Sequence, residues 1–337
     1  MDGIEWERFQ QLRKQWGAKS VAVIGDVMLD HYYWGVVNRL SPEAPVPIVD
    51  LQEESFHLGG ASNVANNLAC LGLHPVIFGV VGNDEAGRTL RELLEQNGME
   101  SAGIIVDEQR PTTVKTRIIG NNQHIARLDR ENRAVLPPQL TAQLVGLIES
   151  FASQLDAVIF QDYDKGVITP QLIETVKQIA HRFDLPIFVD PKYRNFFHYT
   201  NVTFFKPNKK ETQDALHLPL QTFEDVEKAG NQLRHRLNAD LVLITLGADG
   251  MVLFDSSDAA THISTRARHV ADVSGAGDTV IATFVAAFLG GATPGEAAAL
   301  SNIAAGAVCE EPGIIPITMA MLERAIQQAE ELYDSST

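Results

Sequence analysis

The run Asp272-Val273-Ser274-Gly275-Ala276-Gly277-Asp278-Thr279 carries the densest chemical potential in the chain. Gly275, Ala276 and Gly277 leave backbone N–H groups uncrowded, and an apolar helical pattern begins directly after them. Amides gathered at a helix start sit at the positive end of its dipole, which suits an anion. Asp278 falls in the first turn, beside whatever that anion is bonded to. An anion hole next to a carboxylate offers what phosphoryl transfer to an alcohol needs: charge stabilisation for the moving group and an acceptor for the hydroxyl proton. An N-terminal cap is the purely structural use of the same aspartate.

A second constellation is His57-Leu58-Gly59-Gly60-Ala61-Ser62-Asn63-Val64-Ala65-Asn66-Asn67-Leu68-Ala69. A glycine pair before a helix lets backbone approach a polyol closely, and the Asn63 amide both donates and accepts toward vicinal hydroxyls.

The elements that must position these residues alternate short β-branched runs with longer helical patterns, the sign of a parallel sheet covered by helices. Expected core strands are Val21–Gly25, Val76–Val81, Ala157–Phe160, Ile187–Asp190, Val202–Phe205 and Leu241–Thr245. Helical stretches lie at Ala61–Leu71, Glu85–Gln96, Pro170–Phe183 and Phe223–Leu237. After Gly277 the pattern predicts an amphipathic helix with one stripe of Ile281, Phe284, Val285, Phe288 and Leu289. Two segments break the rhythm. Residues 31–57 read as extended, with Pro42, Pro45 and Pro47 arguing for edge strands, and residues 112–129 read as a strand pair turning at Gly120-Asn121-Asn122. Together they are expected to form a small β-lid projecting from the main sheet of a single domain spanning residues 1–337.

The motif around Asp278, with the one around Asn63 before it, resembles the ribokinase-like (PfkB) carbohydrate kinases. More specific stretches are Gly25-Asp26-Val27-Met28-Leu29-Asp30 and Asn38-Arg39-Leu40-Ser41-Pro42-Glu43-Ala44-Pro45-Val46-Pro47. Arg127-Leu128-Asp129, Asp162-Tyr163-Asp164-Lys165-Gly166, Asp190-Pro191-Lys192 and Lys206-Pro207-Asn208-Lys209-Lys210-Glu211 join them. These look like the kinase domain of the D-glycero-D-manno-heptose-7-phosphate kinases of lipopolysaccharide biosynthesis, from about Val21 to Ile326. Many members of that subfamily carry a second, nucleotidyltransferase domain, and this chain resembles the kinase-only form. Three positions depart from the pattern: Val273-Ser274, Gln161 before Asp162, and Tyr193-Arg194-Asn195-Phe196 after Lys192.

The resemblance implies a three-layer α/β/α sandwich with a mostly parallel central sheet, using ATP and Mg²⁺. It implies Asp278 as general base, with the amides of Gly275, Ala276 and Gly277 on the transferring phosphoryl group. Asp26, Asp30, Gly59, Gly60 and Asn63 are expected around the sugar. Lys192 is expected on its terminal phosphate, and Arg127, Asp162, Lys165 and Asp190 elsewhere in the substrate pocket. Asn208 and Glu211 are expected near Mg²⁺ and the nucleotide phosphates, acting through water, or as a capping box at a helix start. Thr245, Gly247 and Gly250 are expected under the nucleotide, and Asn302 beside its adenine.

Composition narrows the field. A net charge of −16 over 337 residues argues against nonspecific binding to nucleic acid or to an anionic membrane. Cys70 and Cys309 cannot make a disulfide framework or a multi-cysteine zinc site, and Cys70 is expected to be buried. No continuous apolar leader appears in residues 1–17, and Val280–Ala292 is too short to span a bilayer, so a cytoplasmic protein is expected. No phosphate loop, dinucleotide fingerprint, His-Glu-x-x-His or Gly-x-Ser-x-Gly motif survives inspection. The expected partners are ATP and a small sugar phosphate. The exposed edges of the lid strands further suggest a homodimer formed through the lid. Two competing readings are a same-fold kinase for another sugar phosphate, such as fructose 6-phosphate, and a sugar-binding protein without catalysis.

Overall fold

The computed structural model describes residues 4–257, 259–265 and 270–334. Nine strands make the main sheet, in the spatial order Ala260–Ile263, Met251–Phe254, Leu241–Thr245, Phe204–Phe205, Ile187–Asp190, Ala157–Gln161, Ser20–Gly25, His74–Gly82 and Ile104–Asp107. The last seven run parallel and the first two join antiparallel at one edge. Parallel strands are covered on both faces, and alternation in their sequences sorts the side chains into two cores. Val21, Val23, Phe188, Phe204, Leu241 and Leu243 face one helical layer. Their neighbours Ala22, Ile24, Val189, Phe205, Val242 and Ile244 face the other. The expected three-layer α/β/α arrangement is what forms.

Helices Glu85–Gln96 and Phe223–Leu237 match their expected bounds, and Ala61–Cys70 and Pro170–Arg182 end one residue short. The helix after the glycine motif, Ala276–Leu289, corrects the sequence reading. It is buried nearly all round, from Asp278 to Ala287, and has no solvent stripe. The apolar stripe packs Phe284 against Phe188 and Phe204. Small residues on its other faces let helices Pro294–Cys309 and Ala61–Cys70 lie against it. A helix enclosed this way holds its first turn rigidly in the middle of the molecule. Cys70 is half-buried, not enclosed.

The second sheet has the order Pro47–Gly60, Val27–Leu40, Val114–Gly120 and Gln123–Arg130. Its two long strands pair antiparallel from Val27–Gly60 to Leu40–Pro47, so Pro42 and Pro45 fall in the connection and Pro47 opens an edge strand. Asn121 and Asn122 both take positive φ, 53° and 61°, the geometry a tight hairpin turn demands. Strand Val27–Leu40 begins two residues after the central strand Ser20–Gly25 ends, so this sheet grows directly out of the C-terminal edge of the main one.

Candidate active site

The parallel strands deliver polar residues at their C-terminal ends, where open α/β sheets bind ligands. Gln161 and Asp190 end adjacent strands, Lys206 follows the strand Phe204–Phe205, and Thr245 ends the next. Asp278 enters this cluster from the start of its helix and is 4% exposed. One carboxylate oxygen accepts from Asn63 Nδ2 at 2.8 Å. The other accepts from the Tyr163 hydroxyl at 2.7 Å and from Gln161 Nε2 at 3.0 Å. The same Gln161 amide reaches Asp190 at 3.2 Å, and Asp190 pairs with Lys206 at 2.9 Å. Gln161, the departure noted in the sequence, is therefore a bridge between two buried carboxylates.

Burial pushes the Asp278 carboxyl up to about 6, with Asp190 adding to the rise. The Asn63 and Tyr163 hydrogen bonds and the Lys206 charge pull the other way. A carboxylate held in that range is ionised at neutral pH yet basic enough to accept a hydroxyl proton.

Gly275 takes φ 83° as the helix begins, a conformation that favours glycine. Ala276 departs from expectation, because its amide closes a turn onto the Val273 carbonyl at 3.3 Å. The amides of Gly275, Gly277 and Asp278 have no acceptor among the described residues and remain available to an anion. The hole thus loses the Ala276 amide and gains that of Asp278. Asx geometry at Asp272, which accepts from the Ser274 amide at 2.8 Å, shapes the approach to it.

Asp30 is buried on strand Val27–Leu40 and pairs with Arg117 of the neighbouring strand. A Cβ at residue 59 would sit 2.1 Å from the Asp30 carboxylate, so Gly59 is what admits that side chain. Gly60, at φ 58°, turns the chain into the helix that carries Asn63. Asn67, one turn on, donates to the Asn63 carbonyl at 2.8 Å and accepts from Thr279, tying the Asn63 and Asp278 helices together.

The other expected substrate contacts already have partners within the protein. Asp26 accepts backbone N–H bonds from Tyr163, Lys165 and Val167, so its carboxylate holds that loop in place. Asp162 accepts from Asn195, Tyr199 and the Asp164 amide. Both aspartates are thereby spent inside the protein. Arg127 stands on the outer strand and forks onto Asp129 with two 3.0 Å hydrogen bonds, and it is Arg117 that enters the interior. Lys165 pairs with Glu131. Lys192 pairs with Glu211, and its ammonium also lies 5.6 Å from the centre of the Tyr163 ring. Tyr163, Arg117, Lys206 and Lys115 carried no assigned role in the sequence.

On the nucleotide side, Asn208 and Glu211 form a reciprocal capping box at helix Lys209–Leu216, each bond 2.8 Å. Thr245 bridges to Asn208 across parallel strands. Gly247, at φ 65°, has open space where a side chain would stand, whereas Gly250 packs against the Ile263 carbonyl in the turn before Met251–Phe254. Asn302 donates to the Ser264 carbonyl at 2.6 Å, anchoring the segment that leaves strand Ala260–Ile263. Among the described residues no cluster of three His, Cys, Asp or Glu side chains could cage a metal.

The geometry makes a kinetic prediction. Below pH 6 Asp278 binds a proton and can no longer accept one, so kcat/KM should fall about tenfold per unit as pH drops. Tyr163→Phe removes a donor that favours the ionised form, so the acid limb should move to higher pH. Ionisation of ATP or acceptor is common to both proteins. A limb that does not move between them would show that Tyr163 does not tune this carboxylate.

Comparison with known proteins agrees with this arrangement. Residues 18–319 match the model of the pfkB family carbohydrate kinases. The chain is 39% identical over 313 residues to the bifunctional protein HldE of Trichlorobacter lovleyi, covering 93% of this chain and 64% of that one. It is 38% identical over 317 residues to HldE of Geobacter sulfurreducens, covering 94% and 65%. The chain thus spans somewhat under two thirds of the length of these relatives. Among solved structures, Escherichia coli phosphofructokinase-2 in complex with substrates and products superposes with a TM-score of 0.77 at 17% identity, over 93% of this chain and 99% of that one. Arabidopsis thaliana ribokinase complexed with ribose and ATP gives 0.71 at 18%, over 93% and 98%. A carboxylate at a glycine-led helix start, a ribokinase-like sheet beneath it and a family match over most of the chain converge: the protein belongs to the pfkB family of carbohydrate kinases.

Proposed function

We propose that this kinase transfers the γ-phosphoryl group of ATP to the anomeric hydroxyl of D-glycero-D-manno-heptose 7-phosphate, giving the 1,7-bisphosphate. The observation that carries the chemistry is Asp278, held by three side-chain donors beside the unengaged amides of Gly275, Gly277 and its own residue. Asp278 accepts the hydroxyl proton as the new P–O bond forms, and the amides stabilise charge on the transferring group. Asp30 and Asn63 orient the sugar hydroxyls. The four-stranded sheet acts as a lid over the sugar and excludes water, which otherwise competes as phosphoryl acceptor.

Mg²⁺ enters with ATP. Glu211, held by the Asn208 amide and Lys192, together with Asn208 would hold the ion through its water shell, where it would neutralise charge on the ATP phosphates. The heptose assignment is supported by the Asn38–Pro47 stretch and by similarity to the HldE relatives. A reducing, ATP-supplied cytoplasm fits two unpaired cysteines, and among the described residues no helix is long and apolar enough to cross a membrane. The exposed apolar side chains of the lid (Leu40, Val46, Leu51, Leu128) favour a second copy of the chain packed there, and light scattering that finds a monomer would remove that pairing.

A panel of sugars and sugar phosphates, followed by ADP release, tests the assignment. The highest kcat/KM is expected with the heptose 7-phosphate. A higher value with fructose 6-phosphate would transfer the assignment to that substrate, and sugar binding without ADP release would replace the kinase with a binding protein.

A further inference from the structure

Lys115 lies on the lid strand Val114–Gly120, opposite Asp30 on one side and Asp129 on the other. Both carboxylates are already engaged: Asp30 pairs with Arg117, and both Asp129 oxygens accept from Arg127. Nearby Lys165 has Glu131, and Lys192 has Glu211. Lys115 makes no ion pair or side-chain hydrogen bond with any described residue. Its ammonium instead lies 5.2 Å from the centre of the Tyr163 ring, over which Lys192 also stands. Lys115 is half-buried, and burial lowers its pKa. Arg117 and Lys165 push the same way, against Asp30 and Asp129. An uncompensated ammonium in a chain of net charge −16 gains most from an arriving anion.

The position of the anion follows from Tyr163, whose hydroxyl touches Asp278 at 2.7 Å while its ring carries the two lysines. Both lysines therefore border the ring whose hydroxyl reaches the base. A sugar whose reacting hydroxyl meets Asp278 can turn a phosphate at its far end toward them. We propose that Lys115, together with Lys192, forms the subsite for the phosphate the acceptor already carries, and that Lys115 makes the enzyme select phosphorylated over free sugars. This rests on the sugar-phosphate kinase reading above. Because Lys115 belongs to the lid and Lys192 to the main sheet, the acceptor phosphate also draws the two together.

The test uses a non-reacting probe, so it is independent of turnover. Calorimetry compares 1,5-anhydroheptitol 7-phosphate, which has no anomeric hydroxyl, with its unphosphorylated parent. The wild type should bind the phosphorylated compound at least tenfold more tightly. Lys115→Met should lose most of that advantage without weakening the parent or ATP, and Lys115→Arg should recover part of it. Methionine strands no partner, so the variant is expected to fold, as thermal unfolding will verify. Equal affinity of wild type and Lys115→Met for the phosphorylated probe would overturn the subsite. Lysine-dependent binding in a protein that phosphorylates no sugar phosphate would leave the subsite standing and discard the kinase substrate instead.

Discussion

Asp278→Ala is expected to lower kcat for sugar phosphorylation by about 10³-fold or more, within the range that loss of a positioned general base produces. KM for ATP should change little, because the proposed phosphoryl contacts are the backbone amides of Gly275, Gly277 and residue 278, which the substitution keeps. The fold should survive, and the sign of the electrostatics explains why. The folded-state value of about 6 lies above the ordinary carboxylate value of 3.8, so the folded protein binds an extra proton between them. The charged form therefore costs stability above about pH 6, and an uncharged residue forfeits none. The substitution leaves Asn63, Gln161 and Tyr163 without their acceptor, and with Asn63 and Gln161 each 1% exposed this offsets part of the gain without exceeding what a folded domain tolerates. Turnover near the wild-type rate in a folded Asp278→Ala protein would remove the carboxylate from the chemistry.

The second large effect falls on stability. Lys206 and Asp190 are 3% and 7% exposed and pair at 2.9 Å. Lys206→Met leaves Asp190 a buried carboxylate with Gln161 as its remaining side-chain donor. Breaking one side of such a pair costs about 3–5 kcal/mol, to be read from urea unfolding as a lowered midpoint with unchanged slope. Adding Asp190→Asn to Lys206→Met should recover much of the loss, since no unpaired charge then remains. A loss under about 1 kcal/mol in the single variant would mean that the pair contributes no more than an exposed one and that Asp190 reaches solvent. Lys206 also favours ionised Asp278, so this variant should carry its acid limb to higher pH.

What could be read in the sequence was local. Strands Ile187–Asp190 and Leu241–Thr245 and the Asn121-Asn122 turn declare themselves by composition over a few residues, and the structure keeps their bounds. The edge strands Met251–Phe254 and Ala260–Ile263 did not, being short and set in a turn-rich stretch. The helix behind Gly275 showed the start of its apolar pattern, but its alanines and threonines gave no sign of being enclosed by two further helices. Small residues are neutral in a hydrophobicity pattern, and only tertiary contact decides whether they face water.

The site divides the same way. Asp278, Gly275 and Gly277 announced themselves by spacing at a helix start. Tyr163 and Gln161 hydrogen-bond Asp278 from more than a hundred residues away, and no local pattern encodes such a contact. A signal did exist for Gln161, as a polar side chain at the last position of a buried strand. Asp26 and Asp162 misled for a related reason. A carboxylate at a strand end serves a ligand or caps the following loop with equal economy, and here it takes loop amides. Arg127 and Arg117 face each other across neighbouring strands, so only the burial of one of them tells which reaches Asp30.

The most direct test of the whole account is ³¹P and ¹³C NMR of the product formed from ATP, Mg²⁺ and D-glycero-D-manno-heptose 7-phosphate. One equivalent of ADP and a second sugar phosphorus coupled to the anomeric carbon are expected. ADP accompanied by inorganic phosphate, with the heptose 7-phosphate left unchanged, would contradict it.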